Sequence, residues 1–186
     1  AFIDFVQGLL KEHGIESRLV HDETRTKANL LATVGPRVEG GVVLSGHTDV
    51  VPVDGQPWTS DPWVLTERDG KLFGRGVADM KSFLALMLAY VEKVRDAPLM
   101  RPLILAFSYD EEVGCLGAPS MIARLSDALP APAAAIIGEP TSMRVVSAHK
   151  GIRGMIVEVG GREAHSSLVD QGVSAIMEAV KLMGLV

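Results

Sequence analysis

The stretch Val42-Val43-Leu44-Ser45-Gly46-His47-Thr48-Asp49 decides how this chain is read. It opens as a short apolar, β-branched run of the kind that forms a buried strand, and it ends on an imidazole and a carboxylate. The same grammar returns further along. The run Pro102-Leu103-Ile104-Leu105-Ala106-Phe107 leads into Asp110, Glu111 and Glu112, and Ala134-Ala135-Ile136-Ile137 leads into Glu139 and Pro140. Between the first and second of these lies "DMKSFLALMLAYVEKV" (79–94), a strong helical pattern with Asp79 at its mouth, where it reads as an N-cap.

The remaining elements fit around these. Apolar positions 2, 3, 5, 6, 9 and 10 predict an N-terminal helix that stops at Gly14. Strands are predicted over 16–21 and 29–34, and a hairpin over 65–74 with Asp69-Gly70 at its turn. A helix is predicted over 117–129, strands over 144–151 and 152–161, and a last helix over 170–183. Strands alternating with helices imply an α/β fold with a mostly parallel central sheet flanked by helices.

Composition bounds the function. The chain has 186 residues, 47% of them hydrophobic and 22% charged, an ordinary globular balance. A net charge of -5 offers no basic footprint for nucleic acid. No apolar run approaches the ~18–20 residues needed to span a bilayer. The single cysteine, Cys115, excludes an internal disulfide and fits a reducing, cytoplasmic setting. The chain starts on Ala1 with no leader pattern and ends in an uncapped helical run, so it is expected to be an N-terminal-to-middle piece of a longer protein.

Ligands of open α/β sheets bind beyond the carboxyl ends of the strands. Here those ends carry His47, Asp49, Glu111, Glu112 and Glu139, with Asp79 at a helix mouth. So much negative charge at one edge is unfavourable unless a cation neutralises it. Oxygen ligands with one imidazole suit a divalent metal, zinc foremost. Each residue alone has a plainer reading: a paired histidine, a helix cap, a solvated turn. Their recurrence at successive element ends carries the metal reading. "GRGVAD" (74–79) lacks the third glycine of a dinucleotide fingerprint, and Ser166-Ser167 lacks a nucleophile elbow.

"SGHTDVVPV", "GRGVADMK", "DEEVGCLGA" and "GEPTSMRVVSAHKG" together resemble the di-zinc amidohydrolase and metallopeptidase family, over nearly the whole chain. The resemblance implies that His47 and Glu139 bind the first zinc, Glu112 the second, and that Asp79 bridges the two, with a cis peptide after it. Asp49 would accept the second ring N–H of His47 and fix its tautomer. Glu111 would be the general base, and cobalt a possible substitute metal. Residues 1–150 would be an incomplete catalytic domain, and 151–186 the truncated start of a smaller lid through which the family forms homodimers. His165 would be the lid histidine that helps hold the oxyanion, and His149 and Lys150 hinge residues.

The expected substrate is a small N-acyl amino acid, with N-acetyl-ornithine hydrolysed to ornithine and acetate in arginine biosynthesis. Succinyl-diaminopimelate desuccinylation, a glutamate carboxypeptidase activity and a non-catalytic metal-binding relative are the alternatives. Glu111 favours an enzyme, because a binding module has no use for an unliganded carboxylate there. The pattern departs from the family at Val169 and Ser174, where proline and asparagine are expected. No histidine follows His165 to complete the second zinc, so the piece alone is expected to be inactive.

Overall fold

The computed structural model describes residues 2–185 except 129, 149 and 152, with the side chains of 126–128 also outside the description. The expectation for His149 therefore lies outside the described residues. The chain divides into two compact units, Ala1–Val145 and Val146–Val186.

The first unit is built on a mixed five-stranded sheet in the spatial order Ser17–His21, Ala28–Val34, Leu103–Ser108, Val42–His47, Ala134–Ile137. The strands are β1 (Ser17–His21), β2 (Ala28–Val34), β3 (Val42–His47), β6 (Leu103–Ser108) and β7 (Ala134–Ile137). β3 pairs in parallel with β6 on one side and β7 on the other. β2 runs antiparallel to both β1 and β6, so every other strand points one way and β2 points against them. The carboxyl ends of β3, β6 and β7 therefore share one edge.

Alternation along the strands sorts two cores. Leu30, Ala32, Val34, Leu105 and Phe107 pack on α1 (Phe2–Glu12) and α2 (Ser82–Val94), which contribute Val6, Leu10, Leu84 and Val91. Leu31, Val43, Ile104 and Ala106 face the other way, onto Met121 of α3 (Ala118–Ala128). The sheet is thus sandwiched between helices, as period-two burial requires. The separate hairpin β4 (Thr66–Arg68) and β5 (Lys71–Phe73) turns through Asp69 and Gly70, both with positive φ, as a two-residue I′ turn demands.

One polar side chain crosses this core. Asn29 is fully buried, donates to the Gly117 carbonyl at 2.9 Å and to Ser120 Oγ at 3.1 Å, and accepts from the Tyr109 N–H at 3.2 Å. It thereby pins both ends of the loop that carries Glu111 and Glu112. Asn29→Ala takes the side-chain acceptor from the Tyr109 N–H, while the Gly117 carbonyl keeps Ser120 Oγ and the Met121 N–H, and is expected to cost about 1–3 kcal/mol, read as a lower urea midpoint at unchanged slope. A variant as stable as the parent would show the loop is held otherwise.

The second unit holds α4 (Ala175–Met183), whose N-cap is Ser174, accepting from the Met177 N–H at 3.3 Å. The strands expected over 144–151 and 152–161 are absent among the described residues; only an isolated bridge joins Arg162 to Val173. Alternating apolar residues form a ladder only beside a partner strand. Without one here, Met155 and Ile156 stand exposed.

Candidate metal centre

The three parallel strand ends and the entrance to α2 build the site. β3 delivers His47, which is 1% exposed. Its neighbour Thr48 is fixed to β6, both its N–H and its hydroxyl donating to the Ser108 carbonyl at 2.8 and 3.0 Å. β7 delivers Glu139 two residues past its end.

Asp79 arrives differently from expectation. It is no helix cap: α2 starts at Ser82, and Asp79 sits upstream in an irregular turn, Val77–Lys81, with extended backbone (φ -124°, ψ 98°). The Asp79–Met80 peptide is cis. The turn closes through Lys81 N–H donating to the Gly76 carbonyl at 2.7 Å. It aims the Asp79 carboxylate across the sheet edge, placing Oδ1 2.9 Å from His47 Nε2.

His47 Nε2 also lies 3.8 Å from Glu111 Oε2 and 3.9 Å from Glu139 Oε1. Ligand atoms of His47, Asp79 and Glu139 all fall within 4.8 Å of one another. The other ring nitrogen, Nδ1, meets the backbone carbonyl of Asp49 at 3.0 Å. A carbonyl only accepts, so Nδ1 carries a proton and the Nε2 lone pair is the one that faces the carboxylates.

The Asp49 side chain has a different task from the one expected. Its Oδ1 is 3.5 Å from His47 Nδ1, farther than its own carbonyl. The carboxylate instead accepts the backbone N–H groups of Glu111 at 3.1 Å and Glu112 at 3.0 Å. It therefore ties the loop after β6 to the end of β3.

The crowding of these groups shows in their electrostatics. Burial raises the Glu139 carboxyl above its ordinary range, and Asp79, Glu111 and Glu112 push the same way against His47. Burial pulls the His47 imidazolium down, yet the Asp79 hydrogen bond and the charges of Glu139 and Asp49 carry it above the usual histidine value. One imidazole and two carboxylates form a donor set that suits zinc.

The structure thus brings together His47, Asp79 and Glu139, sets Glu111 beside them, and leaves Glu112 outside the ligand group. His165 belongs to the second unit, in an exposed turn where its Nδ1 faces Ser167 Oγ at 2.8 Å. Sequence reasoning missed three contributors. Met80 Sδ accepts the His47 backbone N–H at 3.3 Å, and Lys81 Nζ donates to the Thr48 carbonyl. Cys115, a free and exposed thiol, lies 3.6 Å from Glu111 Oε1. Burial, then Glu111, raises that thiol's pKa and keeps it protonated. The one advance signal was position: Met80 and Lys81 directly follow Asp79.

A candidate metal site on the edge of such a sheet suits a metallohydrolase, and sequence comparison gives the family. Residues 43–184 match the model of Peptidase family M20/M25/M40, and the chain belongs to that family. It is 42% identical over 177 residues to the acetylornithine deacetylase of Photorhabdus laumondii, covering 95% of this chain and 45% of that protein. It is 46% identical over 153 residues to the acetylornithine deacetylase of Shigella sonnei, covering 82% of this chain and 39% of that protein. The chain thus spans less than half the length of these relatives.

Solved structures share the fold. Human carnosine dipeptidase 1 matches with a TM-score of 0.59 at 25% identity, over 73% of this chain and 31% of that one. A Staphylococcus aureus tripeptidase matches with a TM-score of 0.61 at 22% identity, over 97% of this chain and 49% of that one.

Proposed function

We propose that this chain supplies the metal-binding part of a zinc-dependent amidohydrolase that deacetylates an N-acyl amino acid, N-acetyl-ornithine foremost. The observation that carries the reading is the group of His47, Asp79 and Glu139 with the Glu111 carboxylate beside it. The names of the relatives at 42% and 46% identity supply the substrate class.

Zinc, when bound, would acidify a water and polarise the substrate's amide carbonyl. The chain's own residues do the rest. His47, held in its Nδ1–H tautomer by the Asp49 carbonyl, presents Nε2, and Asp79 and Glu139 add their carboxylates. Glu111 takes the proton from the attacking water and hands it to the departing amine nitrogen. Asp49 keeps Glu111 in reach through the loop amides.

In the whole protein, Asp79 would bridge to a second zinc held also by Glu112 and by a histidine supplied later in the sequence. Residues 151–186 would begin a lid through which two copies pair, with His165 assisting at the oxyanion. Cytoplasmic arginine biosynthesis is the setting that fits this reaction.

The test is a hydrolysis panel on the full-length protein loaded with zinc or cobalt. N-acetyl-ornithine is expected to give the highest kcat/KM. A preference for N-succinyl-diaminopimelate or for peptides ending in glutamate would move the substrate assignment. Metal uptake without hydrolysis of any would leave a binding protein.

A further inference from the structure

We propose that Met80, in the turn that carries Asp79, and Phe83, in the first turn of α2, are positioning residues that set the spacing of His47, Asp79 and Glu139. The proposal rests on the metal-centre reading above and deepens it. A glycine immediately precedes each strand-borne ligand: Gly46 before His47 and Gly138 before Glu139. Neither has the left-handed backbone that would itself demand glycine. What excludes a side chain at both is the same short segment.

A Cβ on Gly46 would lie 2.7 Å from Leu84 Cδ2 and 2.8 Å from Met80 Cε. A Cβ on Gly138 would lie 2.0, 2.2 and 2.3 Å from atoms of the Phe83 ring. These are overlaps, not contacts. The segment from Asp79 through the first turn of α2 therefore abuts the backbone directly ahead of both other ligands while carrying Asp79 itself.

The segment is also firmly anchored. Met80 and Leu84 are fully buried, and Phe83 packs against the main core. Met80 adds a directional tie, its sulfur accepting the His47 N–H at 3.3 Å. One rigid piece of chain thus measures the distance to β3 through Met80 and to β7 through Phe83. Of the two contacts, that at Gly138 is the stricter, because a ring face cannot bend aside as a thioether end can.

The experiment is zinc titration calorimetry on the full-length protein, with thermal unfolding followed in parallel. Gly138→Ala should displace Glu139 and weaken zinc by about 10–100-fold, the range seen when support of a ligand is lost. Phe83→Ala alone removes the ring that sets the spacing and should itself weaken zinc, by less than Gly138→Ala does. The pair Gly138→Ala/Phe83→Ala, which lacks the Cγ, Cδ1 and Cδ2 atoms the new methyl would meet, should bind zinc more tightly than Gly138→Ala alone, which general destabilisation would not do.

Parental affinity in Gly138→Ala, or a double variant no better than the single, overturns the proposal. If Gly138→Ala fails to fold, the double variant decides alone: folded and binding zinc supports the proposal, anything else overturns it. A parent protein that takes up no zinc overturns the metal-centre reading along with this one, whereas a binding parent with an indifferent Gly138→Ala sinks this proposal only.

Discussion

Glu111→Gln, made in the full-length protein, is expected to keep its zinc and lose about 10²–10⁴-fold in turnover, the usual worth of a positioned general base. The Glu111 carboxylate stands 3.8 Å from His47 Nε2, next to the ligand atoms yet not one of the group of three. Glutamine keeps its size but cannot take a proton. Its backbone stays clamped by Asp49, so the loop should hold its place. Metal content and kcat measured on one preparation check the outcome. Loss of zinc with activity per bound metal retained would show that Glu111 is a ligand and would exchange its role with that of Glu112.

Asp79→Asn is expected to abolish saturable zinc uptake at concentrations where the parent saturates, and with it the hydrolysis. Asp79 provides the oxygen nearest His47 Nε2, at 2.9 Å, and on the proposed reading it serves both zinc ions. Asparagine has the same shape but lacks the charge that attracts a cation. The Asp79 side chain is 48% exposed but bonds the buried His47, so the substitution also bears on the metal-free fold. Calorimetry and a metal-free melting curve separate the two effects. An Asn variant that takes up zinc with parental affinity would remove Asp79 from the ligand set.

Much of this was legible because the fold writes its chemistry at strand ends. The runs before His47, Glu111 and Glu139 each read as a strand from a handful of residues, and parallel pairing of β3 with β6 and β7 then puts their ends on one edge. The hairpin was legible from Asp69-Gly70 alone. Asp79 was misread because the helical apolar pattern runs back through Met80 without a break, and nothing local distinguishes a cap from a wide turn. Asp49 was half-read: its proximity to His47 follows from spacing, but its grip on the amides of Glu111 and Glu112 depends on the packing of β3 against β6. The strands expected over 144–161 show the converse. Alternation is necessary for a ladder but needs a neighbour to hydrogen-bond.

The central place of β3 has a kinetic side. Val42 finds Leu103 on one flank and Ala134 on the other, both far downstream in the chain. Entropy must be spent closing such loops before their contacts reward it, and folding slows as pairings become less local. The antiparallel β1–β2 ribbon can form early from neighbouring residues. His47 and Glu139 meet only after β7 has docked, last in sequence and outermost in the sheet. Partly folded forms in which β7 has not docked would have no assembled ligand set, so on the proposed reading the capacity to hold a metal reports docking of β7 and not merely collapse of the chain.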